Sequence, residues 1–176
     1  APERMSVIET VQDAEKVQPP DPNQVAYLTQ TTLSLDDTSE IIKILKQRFP
    51  NIEGPPKDDI CYATQNRQNA VKELASQVDR ILVVGASNSS NTLRLVEVAK
   101  AQGTEARRVE EASQIEKADV EGVKSIGITA GASAPEDVVQ SIVAKLCELA
   151  PQNNVRELRL VDENVNFALP ALLRTA

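Results

Sequence analysis

Ile81-Leu82-Val83-Val84-Gly85-Ala86-Ser87-Asn88-Ser89-Ser90-Asn91 is an apolar run that stops on glycine and passes into small hydroxyl and amide side chains. Branched aliphatics without polar alternation predict a strand buried on both faces, as in a parallel sheet covered by helices. A helix is predicted over 91–102, ending at Gly103. The same grammar continues on either side. A helix over 65–77 precedes the strand, and a short strand is expected around Ala106–Val109. A weaker helix over 112–119 leads to a strand at Val123–Ile128 and the loop Thr129-Ala130-Gly131-Ala132-Ser133-Ala134-Pro135. Next comes the strongest amphipathic pattern, 135–149, with Val138, Val139, Ile142, Val143 and Leu146 on one stripe. Strand–loop–helix units with unalternating strands predict an α/β fold built on a parallel sheet.

Upstream, residues 5–10 read as a short strand and Val25–Leu28 as a buried one, leading into the polar loop Thr29–Thr32. A helix opened by Ser34 or Asp36 carries Ile41, Ile42, Leu45 and Phe49 inward until Pro50 stops it. The tail differs. Val155–Val161 and Asn164–Leu169 read as two short strands around Asp162-Glu163 that start no further strand–helix unit.

Hydrophobic residues make up 41% of the chain and aromatics only 2%, so the core must be Val, Ile, Leu and Ala. A formal charge of −7 with no basic cluster argues against a nucleic-acid surface. No apolar run approaches the ~20 residues of a membrane helix. No secretory leader is read. The 2 cysteines form no disulfide framework, which suggests a reducing compartment. The chain contains no histidine, so the commonest acid–base group and metal ligand is absent from it. Ala1, with the only methionine at position 5, reads as the start of a piece of something longer.

The loops Thr29–Ser34, Gly85–Asn91 and Thr129–Pro135 each follow a predicted strand and precede a helix. Parallel sheets bind ligands at the carboxyl ends of their strands, where helix N-termini offer free N–H groups. Together the three could cradle a phosphate or diphosphate without lysine. Capping is the stronger explanation for any one of them taken singly, and only their convergence favours a binding site. Ser133 and Glu136 have capping-box spacing, and Ser89 or Asn91 could cap the helix that follows. Gly85 and Gly131 stand alone, so no nucleotide-binding glycine motif is present.

Gly54-Pro55-Pro56-Lys57-Asp58-Asp59-Ile60-Cys61 brings a cysteine to a polar loop just before a helix start. There the helix dipole favours a thiolate, suited to a metal or to nucleophilic chemistry. An inert, half-buried cysteine fits the position too. Cys147, beside the apolar stripe of 135–149, reads as packing, and Glu110-Glu111 as a solvated face.

Several stretches fall in order: Tyr27-Leu-Thr-Gln-Thr-Thr-Leu-Ser34 with Asp36-Asp37-Thr38; Asp58-Asp-Ile-Cys-Tyr-Ala-Thr64 with Asn66-Arg67; Val83-Val-Gly85 with Asn88-Ser-Ser-Asn91; Thr129–Pro135; and Val165-Asn-Phe167 with Leu169-Pro170. Together they resemble the C-terminal half or more of the 4-hydroxy-3-methylbut-2-enyl diphosphate reductases, which perform the last step of non-mevalonate isoprenoid biosynthesis. The resemblance implies a trefoil-like assembly of three α/β domains around a 4Fe-4S cluster, each domain giving one cysteine. Cys61 matches the third of these ligands. Thr31, Ser89, Ser90, Asn91 and Ser133 match residues that hold the isoprenoid diphosphate. It further implies an electron donor of ferredoxin or flavodoxin type and a bacterial cytosol or plastid-like compartment.

On that resemblance, residues 1–55 end the second domain, 56–148 form the third, and 149–176 are a tail that packs back on another domain. The first domain and the start of the second are missing, with two cluster cysteines, the substrate-facing histidines and a catalytic glutamate. The chain therefore holds no catalytic residue of its own and is expected to be inactive alone. A non-enzymatic α/β module binding diphosphate or another anion is the alternative.

Overall fold

The computed structural model describes residues 2–30, 32–55 and 61–160. Its helices are α1 (Val11–Lys16), α2 (Leu35–Arg48), α3 (Tyr62–Ala75), α4 (Ser90–Ala101), α5 (Lys117–Val120) and α6 (Glu136–Leu149), with 3-10 turns at Pro2–Arg4 and Ala112–Gln114. Strands β1 (Arg80–Val84), β2 (Glu105–Val109) and β3 (Ile126–Ala130) form a 3-stranded parallel sheet in the order β2-β1-β3. The fold is α/β.

β1 is central because both its faces are covered. Successive strand side chains point to opposite faces. Ile81 and Val83 pack with Val71 and Ala75 of α3 and Leu95, Val98 and Ala99 of α4. Leu82 and Val84 pack on the other face with Val109, Ile115, and Ile142 and Leu146 of α6. These four aliphatic residues of β1 are each 0% exposed. At about 1.5–3 kcal/mol for each such burial, this ribbon anchors the sheet. At Gly127 of β3 an added Cβ would lie 2.7 Å from Leu74, so glycine lets α3 approach that strand closely.

Residues 8–52 supply a third cluster, in which Ala14, Leu45 and Phe49 are buried among Ile8, Val17, Val25, Ile41, Ile44 and Ile52. Arg48 donates to the carbonyls of Ala14 and Val17, closing α1 onto α2. Contacts of α2 and the loop before it with the helices of the sheet are polar. Lys72 pairs with Asp36 at 2.7 Å and Arg94 with Asp37 at 3.5 Å, while Gln68 bonds the backbone of Leu33 and Leu35.

Several sequence expectations shift. Residues 5–9 form no strand; instead Thr10 and Asp13 make a reciprocal capping box that starts α1. Val25–Leu28 is not a buried strand. Ala26 makes a single parallel bridge to Glu53, and Leu28 is 85% exposed, because nothing else among the described residues lies alongside to extend the ladder. The expected helix 112–119 splits into the 3-10 turn and α5, and the last strand lies at 126–130 rather than 123–128. Residues 155–160 carry no regular structure, so the first tail strand is absent where it can be read. Asn164–Leu169, Asp58 and Asp59 lie outside the described residues.

Asp119, 5% exposed, accepts two bonds from Arg107, at 2.8 and 2.5 Å, and one from the Glu116 N–H at 2.9 Å. Burial pushes its pKa up, but the Arg107 and Glu116 bonds and the nearby Arg107 and Arg80 charges outweigh that and hold it below the ordinary value. A lowered pKa contributes stability that is present above the ordinary carboxylate range and lost as pH falls through the folded value. Asp119→Asn should therefore cost about 2 kcal/mol near neutrality, less than a fully buried pair because Arg107 is 38% exposed. Urea unfolding followed by circular dichroism should show that difference shrinking toward about pH 3. An equal deficit at both pH values would contradict the ion-pair account.

Candidate functional site

From β1 the chain moves through α4 to β2 on one side, then returns to β3 on the other. Strand order therefore reverses at β1, and a crevice is expected between the loops leaving adjacent β1 and β3. Those loops are Gly85–Ser89 and Gly131–Pro135, leaving from paired residues Val84 and Ala130. They part because α4 packs on one face of the sheet and α6 on the other.

Thr92, 0% exposed, joins the two loops at their base. An added Cβ on either Gly85 or Gly131 would lie 2.3 Å from Thr92 Oγ1, so both glycines are required by close approach. Thr92 Oγ1 donates to Ser89 Oγ at 2.9 Å, and Ser89 Oγ accepts the Thr92 N–H at 3.3 Å. Gly131 N–H donates to the Val84 carbonyl at 2.8 Å. The first loop is also braced from β2. Arg108 donates to the Gly85 carbonyl at 3.1 Å, and Glu110 accepts the Ser87 N–H at 3.1 Å while pairing with Arg108 at 2.9 Å. Those two hydrogen bonds, with the Arg108 charge, hold the Glu110 carboxyl below its usual range.

The expected site residues differ in setting. Ser89 is the N-cap of α4. Ser90 is exposed on the first turn. Asn91, next in that turn, is 6% exposed, yet neither its Nδ2 nor its Oδ1 has a hydrogen-bond partner. A buried amide left unpaired costs about 1–3 kcal/mol per group, and such a group calls for an explanation. Ser133 is exposed and forms no capping box. Pro135 takes the N-cap of α6 without a side-chain bond, because the helix begins at Glu136. Thr31 lies outside the described residues. Its neighbour Ser34 caps α2 through the Asp37 N–H at 3.3 Å.

Cys61 is exposed at the N-cap of α3, and its side chain makes no capping bond. Its thiol is therefore open to a partner at the start of that helix. No group of three or more metal-ligating side chains occurs among the described residues. Among the described residues, Cys61 is the exposed thiol that such a group could use. Cys147 is half-buried on α6. No helix among the described residues is long and apolar enough to cross a membrane.

Thr92, Gln68, Arg108 and Glu110 carry site geometry that the sequence reading did not assign. Glu110 in particular holds Ser87 and Arg108, rather than being a merely solvated charge.

A family model described as "LytB protein" matches residues 1–147. The chain is 53% identical over 166 residues to 4-hydroxy-3-methylbut-2-enyl diphosphate reductase 2 of Burkholderia mallei, covering 94% of this chain and 51% of that protein. It is 51% identical over 168 residues to the 4-hydroxy-3-methylbut-2-enyl diphosphate reductase of Idiomarina loihiensis, covering 96% and 53%. Its fold is similar to the structure of the E-1-hydroxy-2-methyl-but-2-enyl-4-diphosphate reductase from Plasmodium falciparum, with a TM-score of 0.77, 37% identity, and coverage of 84% of this chain and 46% of that one. The chain spans about half the length of the curated relatives it matches.

Proposed function

The chain belongs to the LytB family, and on that premise we propose that it is the portion of a 4-hydroxy-3-methylbut-2-enyl diphosphate reductase that grips the substrate diphosphate and gives one cluster ligand. The observation that carries this reading is the buried, unpartnered Asn91 amide at the crevice between the β1 and β3 loops. The diphosphate lies against the N-terminal turn of α4. Asn91 Nδ2, the hydroxyls of Ser89 and Ser90, and Ser133 from the facing loop donate to its oxygens, and Thr31 is a further donor by the family resemblance. Helix N-termini and neutral donors suit an anion without a lysine. The cradle binds the group that does not react, and so orients the allylic end of the substrate away from these loops.

Cys61 is the ligand this chain offers, with the others outside it. When bound, a 4Fe-4S cluster supplies the electrons for reductive removal of the allylic hydroxyl. The balance is two electrons and two protons in, with water and isopentenyl or dimethylallyl diphosphate out. The electron donor is of ferredoxin or flavodoxin type, and the compartment is cytosolic or plastid-like. Residues 1–55, 56–148 and 149–176 act as the end of the second domain, the third domain, and a tail that packs back on another domain.

The test uses residues 1–176 and the complete protein side by side. Inorganic pyrophosphate should bind both. After anaerobic reconstitution, only the complete protein should hold four irons per chain and turn over substrate. A complete protein that binds neither iron nor pyrophosphate would overturn the reading.

A further inference from the structure

Gln68 sits where the apolar stripe of α3 would place an aliphatic residue, between buried Thr64 and buried Val71. It is 1% exposed, and its amide nitrogen and oxygen are each hydrogen-bonded. Its Nε2 donates to the Leu33 carbonyl at 2.8 Å, and its Oε1 accepts the Leu35 N–H at 3.1 Å. Only one amide orientation gives a donor to the carbonyl and an acceptor to the N–H, so the side chain is locked. The two partners bracket Ser34 at the end of the Thr29–Ser34 loop. The ion pairs nearby are weak substitutes, since Asp36 and Asp37 are each 70% exposed and salt screens such pairs.

We infer that Gln68 is a positioning residue that sets the Thr29–Ser34 loop in register with the helix that begins at Cys61. Two turns of α3 separate Cys61 from Gln68, about 10 Å at the usual helical rise. A rigid helix therefore refers the loop to the cysteine through one amide. An aliphatic residue there would pack as well but would leave the loop free to slide. This inference rests on reading the loops as a diphosphate site. On that reading the loop holds one end of a small substrate and the thiol a ligand position of the group that meets the other end, so an error in register is an error in reach.

The test compares Gln68→Leu and Gln68→Glu with wild type in the complete protein. Iron content and thermal midpoint are measured for each, so that activity is compared at equal loading and folding. Gln68→Leu should lower kcat/KM by about 10- to 100-fold, the usual effect of misplacement near 1 Å. It should also weaken inorganic pyrophosphate binding about tenfold and speed hydrogen exchange at the Leu35 amide, with iron per chain unchanged. Gln68→Glu should recover relative to wild type between about pH 8 and about pH 6, because a buried, protonated carboxyl presents the same donor and acceptor as the amide. The inference is overturned if Gln68→Leu stays within about twofold of wild type in pyrophosphate affinity and Leu35 exchange, or if Gln68→Glu gains nothing on acidification. A wild-type protein that binds pyrophosphate but turns over no substrate counts against the reductase reading instead, and the binding and exchange arms still decide Gln68.

Discussion

Asn91→Ala should leave the protein as stable as before, or firmer by about 1 kcal/mol, while weakening inorganic pyrophosphate binding at least about tenfold. Both amide atoms of Asn91 are buried without partners, so the folded state carries a penalty that alanine removes. Alanine is also the better helix former in the first turn of α4, although the lost side-chain volume offsets part of the gain. Ser89 makes the opposite case. Its hydroxyl caps α4 and accepts from Thr92, so Ser89→Ala should cost about 1 kcal/mol in addition to any loss of binding. Urea titration with calorimetry on both variants separates the two roles. Were Asn91→Ala to unfold more than about 2 kcal/mol earlier with pyrophosphate affinity intact, Asn91 would be a packing residue and the cradle would lose its centre.

Cys61→Ser should abolish turnover in the complete protein, by at least about 100-fold, with iron content falling in parallel. A hard hydroxyl is a poor replacement for a soft thiolate on iron. The same substitution should not harm the fold. Cys61 occupies the N-cap of α3 with no side-chain bond, and serine is among the preferred N-caps, so the iron-free protein should melt at the same temperature or slightly higher. Loss of iron with a preserved melt identifies a ligand. A variant that keeps wild-type iron and turnover would remove Cys61 from the site altogether.

The α/β class was legible from Ile81–Val84 because a run buried on both faces needs no partner to be recognised. Val25–Leu28 has a similar local pattern but, among the described residues, only Glu53 to bridge to, and pattern alone does not reveal whether a neighbouring strand exists. The crevice loops were legible from their positions after strands. Their internal roles were not. The Ser133 spacing matched a capping box, yet Pro135, fixed near the helical φ, starts α6 closer to Glu136. Gln68 and Thr92 were hidden for a different reason. The bonds of Gln68 cross to residues 33 and 35 positions away, and Thr92 is defined by two glycines on separate loops. One signal was available: a glutamine on the stripe shared by Val71 and Ala75 breaks the apolar pattern, and an amide in that place demands a partner.

The sheet order has a consequence for how the chain is made. β1, the central strand, pairs with two strands that both follow it in sequence, and the farther one ends at Ala130. During synthesis the aliphatic ribbon Ile81–Val84 therefore emerges long before either of its neighbours exists. α3 precedes it and can shield one face, but the Leu82 and Val84 face waits for Ile142 and Leu146 on α6. Until β2 and β3 emerge, Ile81–Val84 is an unpaired aliphatic segment, and until α6 emerges one of its faces stays uncovered, the kind of segment that recruits identical strands from neighbouring chains. Translation speed through residues 85–146 and the presence of a holding chaperone should thus govern soluble yield more strongly than the stability of the finished fold.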